Sequence, residues 1–287
     1  MSTLSEEKKQ IVNRLTSVAI EPAEAACEAE IIMQHVLGLT RAEQILHASQ
    51  TLNEDKLGQI EVIVVERERR VPLQQCLGFA WFMGRTFKVK PGVFIPRTDT
   101  ETLVETVQEA LRPFGSSGIT LAEIGVGSGV IAISLLSALP NLKIIGCDLS
   151  PIALEVSREN ARCHGVIDRL TLIEGDWRQC LPDDLDGIVS NPPYVPLSQR
   201  DMLQPEVRDH DPPLALFGSD DDGAGFYREL AGVGRDHLRN GSGFVAVEVG
   251  DGQADLVAAE FIRQKWCHPT VYKDVNGLTR VVLTRSQ

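Results

Sequence analysis

The run L-A-E-I-G-V-G-S-G-V-I-A-I-S-L-L, Leu121 to Leu136, constrains the fold more than any other part of the chain. It opens as an apolar strand, breaks at Gly125, Gly127 and Gly129, and resumes as a helix. Alternate glycines let the backbone turn sharply and admit a ligand with no Cβ in the way. The helix beyond offers free N–H groups at its N-terminus. Strand, glycine loop and helix in that order open a parallel α/β unit. The nicotinamide fingerprint G-x-G-x-x-G fails here, because Val130 occupies the place of its last glycine.

From Thr98 onward helix and strand alternate. Strands are expected at Ile119–Ile124, Lys143–Cys147, Leu170–Ile173, Gly187–Ser190 and Gly243–Val249, with two more after Pro269. The alternation predicts an α/β fold with a mostly parallel, doubly wound sheet. The N-terminal part reads differently. A helix is expected over Thr3–Ser17, and a second opens on Pro22 and ends at Gly38. T-R-A-E at Thr40 is a capping-box pattern for a third, and Asn53 caps a fourth. Pro72 ends this pattern. The stretch from Leu77 to Arg97 reads as a β-hairpin linker with G-R or P-G at its turns. The expected organisation is a helical domain over 1–75, a hairpin linker over 76–97 and a catalytic domain over 98–287. The helical part shows no catalytic constellation, so it reads as a packing or recognition element. The acidic run S-D-D-D-G reads as a solvated loop.

With 287 residues, 43% of them hydrophobic, the chain can bury one large domain and a smaller one. Its net charge of −12 is a poor basis for gripping nucleic acid through phosphates. The six cysteines are scattered without a C-x-x-C pair, and no H-x-x-x-H occurs. That pattern predicts reduced thiols, a cytoplasmic setting and no metal. The N-terminus lacks the apolar core of a secretory signal, and no apolar run could span a bilayer. No direct nucleic-acid contact, no membrane association and a monomer are therefore expected.

G-x-G-x-G preceded by Glu123 resembles the methyl-donor loop of class I methyltransferases that use S-adenosylmethionine. Asp148 ends the next strand about 20 residues later, where a carboxylate meets two ribose hydroxyls in such sheets. Asp148 could alternatively cap the following helix, but Ser150 before Pro151 suits that role better. Asp176 and Trp177, in E-G-D-W, stand at the same carboxyl edge. They would border adenine, although Trp177 could equally be a core or lid aromatic.

The fourth expected strand runs into N-P-P-Y. Asn191 presents an amide oxygen, and Pro192 has a carbonyl but no N–H. The prolines stiffen the corner so that both oxygens can aim at one NH2 group, and Tyr194 can lie against a planar substrate. An amide or exocyclic amine nitrogen is a weak nucleophile because its lone pair is delocalised. Two acceptors on its N–H groups return electron density to nitrogen and bind the transition state better than the ground state. Alone, the tetrapeptide could be an ordinary strand-ending turn.

Taken with E-I-G-V-G-S-G, C-D-L-S-P-I-A-L, G-D-W and S-N-P-P-Y, several further motifs complete a pattern. They are F-K-V-K-P-G-V-F-I-P-R, T-D-T-E, D-P-P-L-A-L-F-G, V-E-V-G-D-G-Q and K-D-V-N-G-L-T-R-V-V. Over nearly its whole length the chain resembles the glutamine N(5)-methyltransferases of peptide chain release factors, the HemK/PrmC family. The resemblance implies a seven-stranded class I methyltransferase sheet and a small all-helical N-terminal domain that helps dock the release factor. It implies S-adenosylmethionine as donor, S-adenosylhomocysteine as product, and the Gln of a Gly-Gly-Gln loop as acceptor. Carried over, Glu123, Gly125, Val126, Gly127, Ser128, Gly129, Asp148, Asp176, Trp177 and Asn191 line the donor site. Asn191, Pro192 and Tyr194 are the catalytic set, and Pro193 shapes the acceptor slot with them. Glu123 stands where the family usually has Asp, and Val126 where it has Thr. Competing readings are an adenine N6-methyltransferase of DNA or RNA, a glutamine methyltransferase of another protein such as a ribosomal protein, and a donor-binding protein without turnover.

Overall fold

The computed structural model describes residues 2–114, 118–239 and 243–286. Met1 and Gln287, the outer bounds of the expected domains, lie outside them. The chain forms two compact units, one of residues 1–78 with 205–210 and one of residues 79–204 with 211–287.

The first unit is helical, with helices Leu4–Ser17, Pro22–Leu37, Arg41–Leu46, Glu54–Glu68 and Leu73–Leu77, joined by Pro205–His210 from far along the chain. Local chemistry sets the helix starts. Thr3 with Glu6, and Thr40 with Glu43, form reciprocal capping boxes. Asn53 Oδ1 accepts from Lys56 N at 2.9 Å, and Gly38 ends the second helix in the left-handed region. Pro72, expected only as a breaker, stands at the N-cap of the extra helix Leu73–Leu77. Its fixed φ and missing N–H suit a helix start as well as a helix stop. Ile11, Leu15, Ala29, Ile32, Met33 and Val64 are buried at the centre.

Beside that core lies Arg67, only 1% exposed. Its Nε donates to Glu28 Oε2 at 2.9 Å, and its Nη2 lies 2.9 Å from Glu206 Oε1. Arg70 grips both oxygens of Glu206 at 2.7 and 2.6 Å. Buried charges persist only when paired and hydrogen-bonded in this way. The pairs hold Pro205–His210 within the helical unit.

The second unit begins with a hairpin, β1 Phe79–Phe82 and β2 Arg85–Lys88. Met83 and Gly84 both have positive φ and make its two-residue turn. Pro91-Gly92, one of the two turns considered from sequence, lies beyond the hairpin. Seven strands form the sheet: β3 Ile119–Ile124, β4 Leu142–Asp148, β5 Leu170–Glu174, β6 Gly187–Ser190, β7 Phe244–Glu248, β8 Thr270–Lys273 and β9 Thr279–Arg285. Each expected strand is present, with ends shifted by one residue at most. The order is β5-β4-β3-β6-β7-β9-β8, parallel except for β9, which runs antiparallel to both β7 and β8.

The helix Val130–Ala138 is buried from Val130 to Leu136, on every face, so it reads as a core helix rather than a surface one. Placing β3 between β4 and β6 has a direct consequence. The chain leaves β3 toward β4 on one side, and β6 returns on the other, which opens a crevice at the carboxyl ends of the strands. Ile124 and Ser190, the last residues of β3 and β6, are register partners. The glycine loop and the N-P-P-Y corner therefore leave the sheet side by side. No described helix is long and apolar enough to cross a membrane.

Candidate active site

A cavity of about 460 Å³ opens at this crevice in the second unit. Its lining contains Glu123, Gly125, Val126, Gly127, Ser128, Asp148, Asp176, Trp177, Asn191, Pro192, Pro193 and Tyr194. Of the site residues expected from sequence, Gly129 alone is not in it, because it faces Ser157 and Ile133 in the packing behind the loop.

The glycine loop is held from the neighbouring strand β4. Gly125 N and Val126 N donate to the Cys147 carbonyl at 2.9 and 3.1 Å. Gly129 has φ +84°, and a Cβ there would stand 2.6 Å from Ser157 Oγ and 2.9 Å from Ile133 Cδ1. Both the conformation and the close approach require glycine. Val126, in turn, packs on Gly146, where a Cβ would come within 2.9 Å of Val126 Cγ2.

Asp148 does two jobs in the backbone. Its Oδ2 accepts from Gly127 N and its Oδ1 from Ser150 N, each at 2.9 Å. The helix cap proper is Ser150, whose Oγ accepts from Ala153 N at 3.3 Å. A carboxylate oxygen has two acceptor positions. Each oxygen of Asp148 therefore keeps one, and the two together match a vicinal diol. Glu123 is fully inside, 2% exposed, with Oε2 accepting from Ala132 N at 2.8 Å. Burial pushes its carboxyl well above the usual range, against the pull of the Ala132 N–H.

Asp176 caps the short helix Trp177–Cys180, accepting from Arg178 N at 3.0 Å. The Arg178 guanidinium also pairs with it and holds its carboxyl below the ordinary range. Trp177 is 7% exposed, its ring 6.2 Å from Phe226 and 6.0 Å from His237 between centroids. It is thus both a core aromatic and a wall of the cavity, so the two sequence readings are compatible.

At the corner, Asn191 Nδ2 donates to Thr100 Oγ1 at 3.1 Å. That bond directs the amide nitrogen to Thr100 and frees Oδ1 for the cavity. Among the described residues no backbone N–H donates to the Pro192 carbonyl. Gln253 Nε2 donates to the Tyr194 carbonyl at 2.9 Å, and Val195 N to Leu216 O at 2.9 Å. Gly250 leaves room for the Tyr194 ring, since a Cβ there would stand 2.9 Å from Tyr194 Cδ2. The corner is thereby clamped from outside while its two acceptor oxygens stay free.

Sequence reasoning missed two residues of this site, Thr100 and Glu248. Glu248 is 2% exposed at the end of β7 and receives the Tyr194 hydroxyl on Oε1 at 3.4 Å. Burial pushes its carboxyl up to about 7; Asp99 adds to that, and Thr100, Arg280 and Tyr194 oppose it. An acid interrupting the apolar run F-V-A-V-E-V was the available signal. Among the described residues no group of His, Cys, Asp and Glu could hold a metal ion.

Residues 84–204 match the Methyltransferase small domain family, and residues 9–78 match the PrmC N-terminal domain family. The release factor glutamine methyltransferase of Geobacter sulfurreducens is 41% identical over 259 residues, covering 90% of this chain and 88% of that one. The enzyme of the same description from Cereibacter sphaeroides is 35% identical over 274 residues, covering 96% and 95%. Among solved structures, a methyltransferase from Pyrococcus furiosus matches with a TM-score of 0.51 at 17% identity, over 70% of this chain and 89% of that one, a likeness of fold. A doubly wound sheet with donor-loop geometry at its switch point, and relatives of this identity over nearly the full length, lead to one conclusion: the chain belongs to the release factor glutamine methyltransferase family.

Proposed function

We propose that this chain methylates the side-chain amide nitrogen of a glutamine in peptide chain release factors, the Gln of their Gly-Gly-Gln loop. The single observation that carries the reading is the Asn191 amide. Its nitrogen is spent on Thr100 and its oxygen is left to the cavity, beside the free Pro192 carbonyl. The donor family matches the cavity chemically. Asp148 offers two acceptor positions for a ribose diol, Trp177 a flat apolar wall for a purine, and Gly125 to Ser128 an open backbone.

When bound, S-adenosylmethionine supplies a methyl group on a sulfonium, which accepts the bonding pair as the group departs and leaves S-adenosylhomocysteine. The protein's part lies in the acceptor. Asn191 Oδ1 and the Pro192 carbonyl each accept one N–H of the glutamine carboxamide. That raises electron density on its nitrogen and holds the lone pair toward the methyl. As nitrogen gains positive charge, both hydrogen bonds strengthen. The product nitrogen then sheds a proton to solvent without a strong base. Pro193 and Tyr194 flank the planar group. Residues 1–75 serve substrate recognition, 76–97 link, and 98–287 catalyse. The protein works as a cytoplasmic monomer without nucleic-acid contact, a setting in keeping with six free thiols and the net charge of −12.

One incubation tests this reading. The chain is mixed with methyl-labelled donor and, separately, a release factor, its Gln→Ala variant at the Gly-Gly-Gln loop, a ribosomal protein and adenine-containing DNA. Label is expected in the release factor alone. Label in the variant, or in DNA without the release factor, overturns it.

A further inference from the structure

We infer that Glu248 is a positioning residue for Asn191, acting through the hydroxyl of Thr100. The inference deepens the methyl-transfer reading and rests on it for its kinetic consequence. Three observations meet here. Thr100 is 3% exposed, and its oxygen accepts from Asn191 Nδ2 at 3.1 Å, which leaves the Thr100 proton to be donated elsewhere. Glu248 Oε2 is buried with no hydrogen-bond partner among the described residues. Glu248 Oε1, on the same carboxyl, faces the Tyr194 hydroxyl of the N-P-P-Y corner at 3.4 Å. One buried carboxyl is thus set between the two residues that frame Asn191.

A buried carboxylate oxygen without a donor is costly, and the Thr100 hydroxyl is the donor beside it. Once that hydroxyl points to Glu248, its lone pairs face Asn191 and accept only the nitrogen end of the amide. The chain of bonds then runs one way, from Asn191 N–H to Thr100 to the Glu248 carboxylate, and each link polarises the next. Asn191 Oδ1 is held in the acceptor slot. A protonated Glu248 can itself donate to Thr100 and removes that bias. The groups facing Glu248 are Asp99, Arg280, Tyr194 and Thr100, with the Tyr227 hydroxyl on its backbone carbonyl at 2.7 Å. Arg280 is itself shared between Asp99 at 2.9 Å and Asp274 at 3.1 Å, so it anchors the turn that carries Thr100.

The test compares the full chain with Glu248→Gln, Thr100→Val, Thr100→Ser and the Glu248→Gln/Thr100→Val double variant. Methyl transfer to the release factor is measured over about pH 6 to 9. For the wild type, kcat is expected to rise with pH about a midpoint near 7. Glu248→Gln and Thr100→Val each erase that limb and lower kcat about tenfold, with donor affinity held within about twofold. The double variant is no worse than either single one, because both break one chain of bonds. Thr100→Ser restores the limb. Retention of the wild-type limb in Glu248→Gln, or single effects that multiply in the double variant, overturns the inference. A second readout does not need turnover. The Asn191 side-chain amide resonances of the wild type should titrate with the same midpoint, and should be pH-independent in Glu248→Gln and Thr100→Val. Titration unchanged in the variants sinks the positioning role. A titrating amide in a chain that labels no release factor sinks the methyl-transfer reading instead.

Discussion

The Ser190 hydroxyl donates to the Ile124 carbonyl at 2.8 Å, joining the last residues of β6 and β3 where the N-P-P-Y corner and the glycine loop depart. Both ends are buried or nearly so, at 0% and 5% exposure. The bond ties the proposed donor and acceptor halves of the site together. Replacing Ser190 with Ala strands the Ile124 carbonyl and should lower unfolding stability by about 1–2 kcal/mol. An unshifted urea midpoint would show that the bond contributes nothing.

Asn191→Ala should lower kcat by at least about a hundredfold, the scale of losing one preorganised transition-state contact. Donor affinity by calorimetry should stay within about twofold, since the diol acceptors belong to Asp148 and the Asn191 oxygen is assigned to the acceptor amide. Equal loss of turnover and donor binding would assign Asn191 a structural role.

Asp148→Ala removes the acceptor for Gly127 N as well as both positions left for a diol. Donor affinity should fall about a hundredfold, from two charge-assisted bonds and a loosened loop. A dissociation constant within about threefold of wild type would mean that the diol is held elsewhere.

The pH dependence of stability follows from Glu248. Burial raises its carboxyl to about 7 in the fold, above the ordinary carboxylate value of the unfolded chain. Folding therefore takes up a proton between those values. The stabilising contribution is whole below the ordinary carboxylate pKa and is lost as pH rises through 7, by roughly 3 kcal/mol in all. Glu248→Gln keeps the neutral form at every pH. Its stability relative to wild type should climb between about pH 4.5 and 8, and a constant difference across that range would refute the assignment.

In the helical unit, Arg67→Ala leaves Glu28 and Glu206 facing one another without their shared cation. Stability of that unit should fall by about 3–5 kcal/mol, the scale for breaking a buried ion network from one side. Faster proteolysis within residues 1–78 would accompany it. A melting profile like that of the wild type would mean that water or Arg70 replaces the lost partner.

Local signals in the sequence go a long way with this protein. Capping boxes at Thr3 and Thr40, Asn53 as an N-cap and Gly38 as a C-cap are written within four residues of each helix end, because caps are satisfied by neighbours in the chain. The strands, the glycine loop and N-P-P-Y are equally local, since period and backbone freedom are properties of short stretches. The turn at Met83-Gly84 was less legible, because Met carries little intrinsic preference for positive φ. The helix Leu73–Leu77 was hidden behind a proline that can end a helix or begin one.

By itself the sequence determined the order of strands and helices, the loop that glycine alone can make, and the stiff corner that follows β6. Each depends on the conformational range of a few adjacent residues. Only the tertiary structure decided that Thr100, Asn191, Tyr194 and Glu248 share one network, and that Glu206 joins Arg67 across more than a hundred intervening residues. Those relations depend on which strand lies beside which, and on how far burial raises the cost of an unpaired charge. Both emerge only when distant parts of the chain exclude water together.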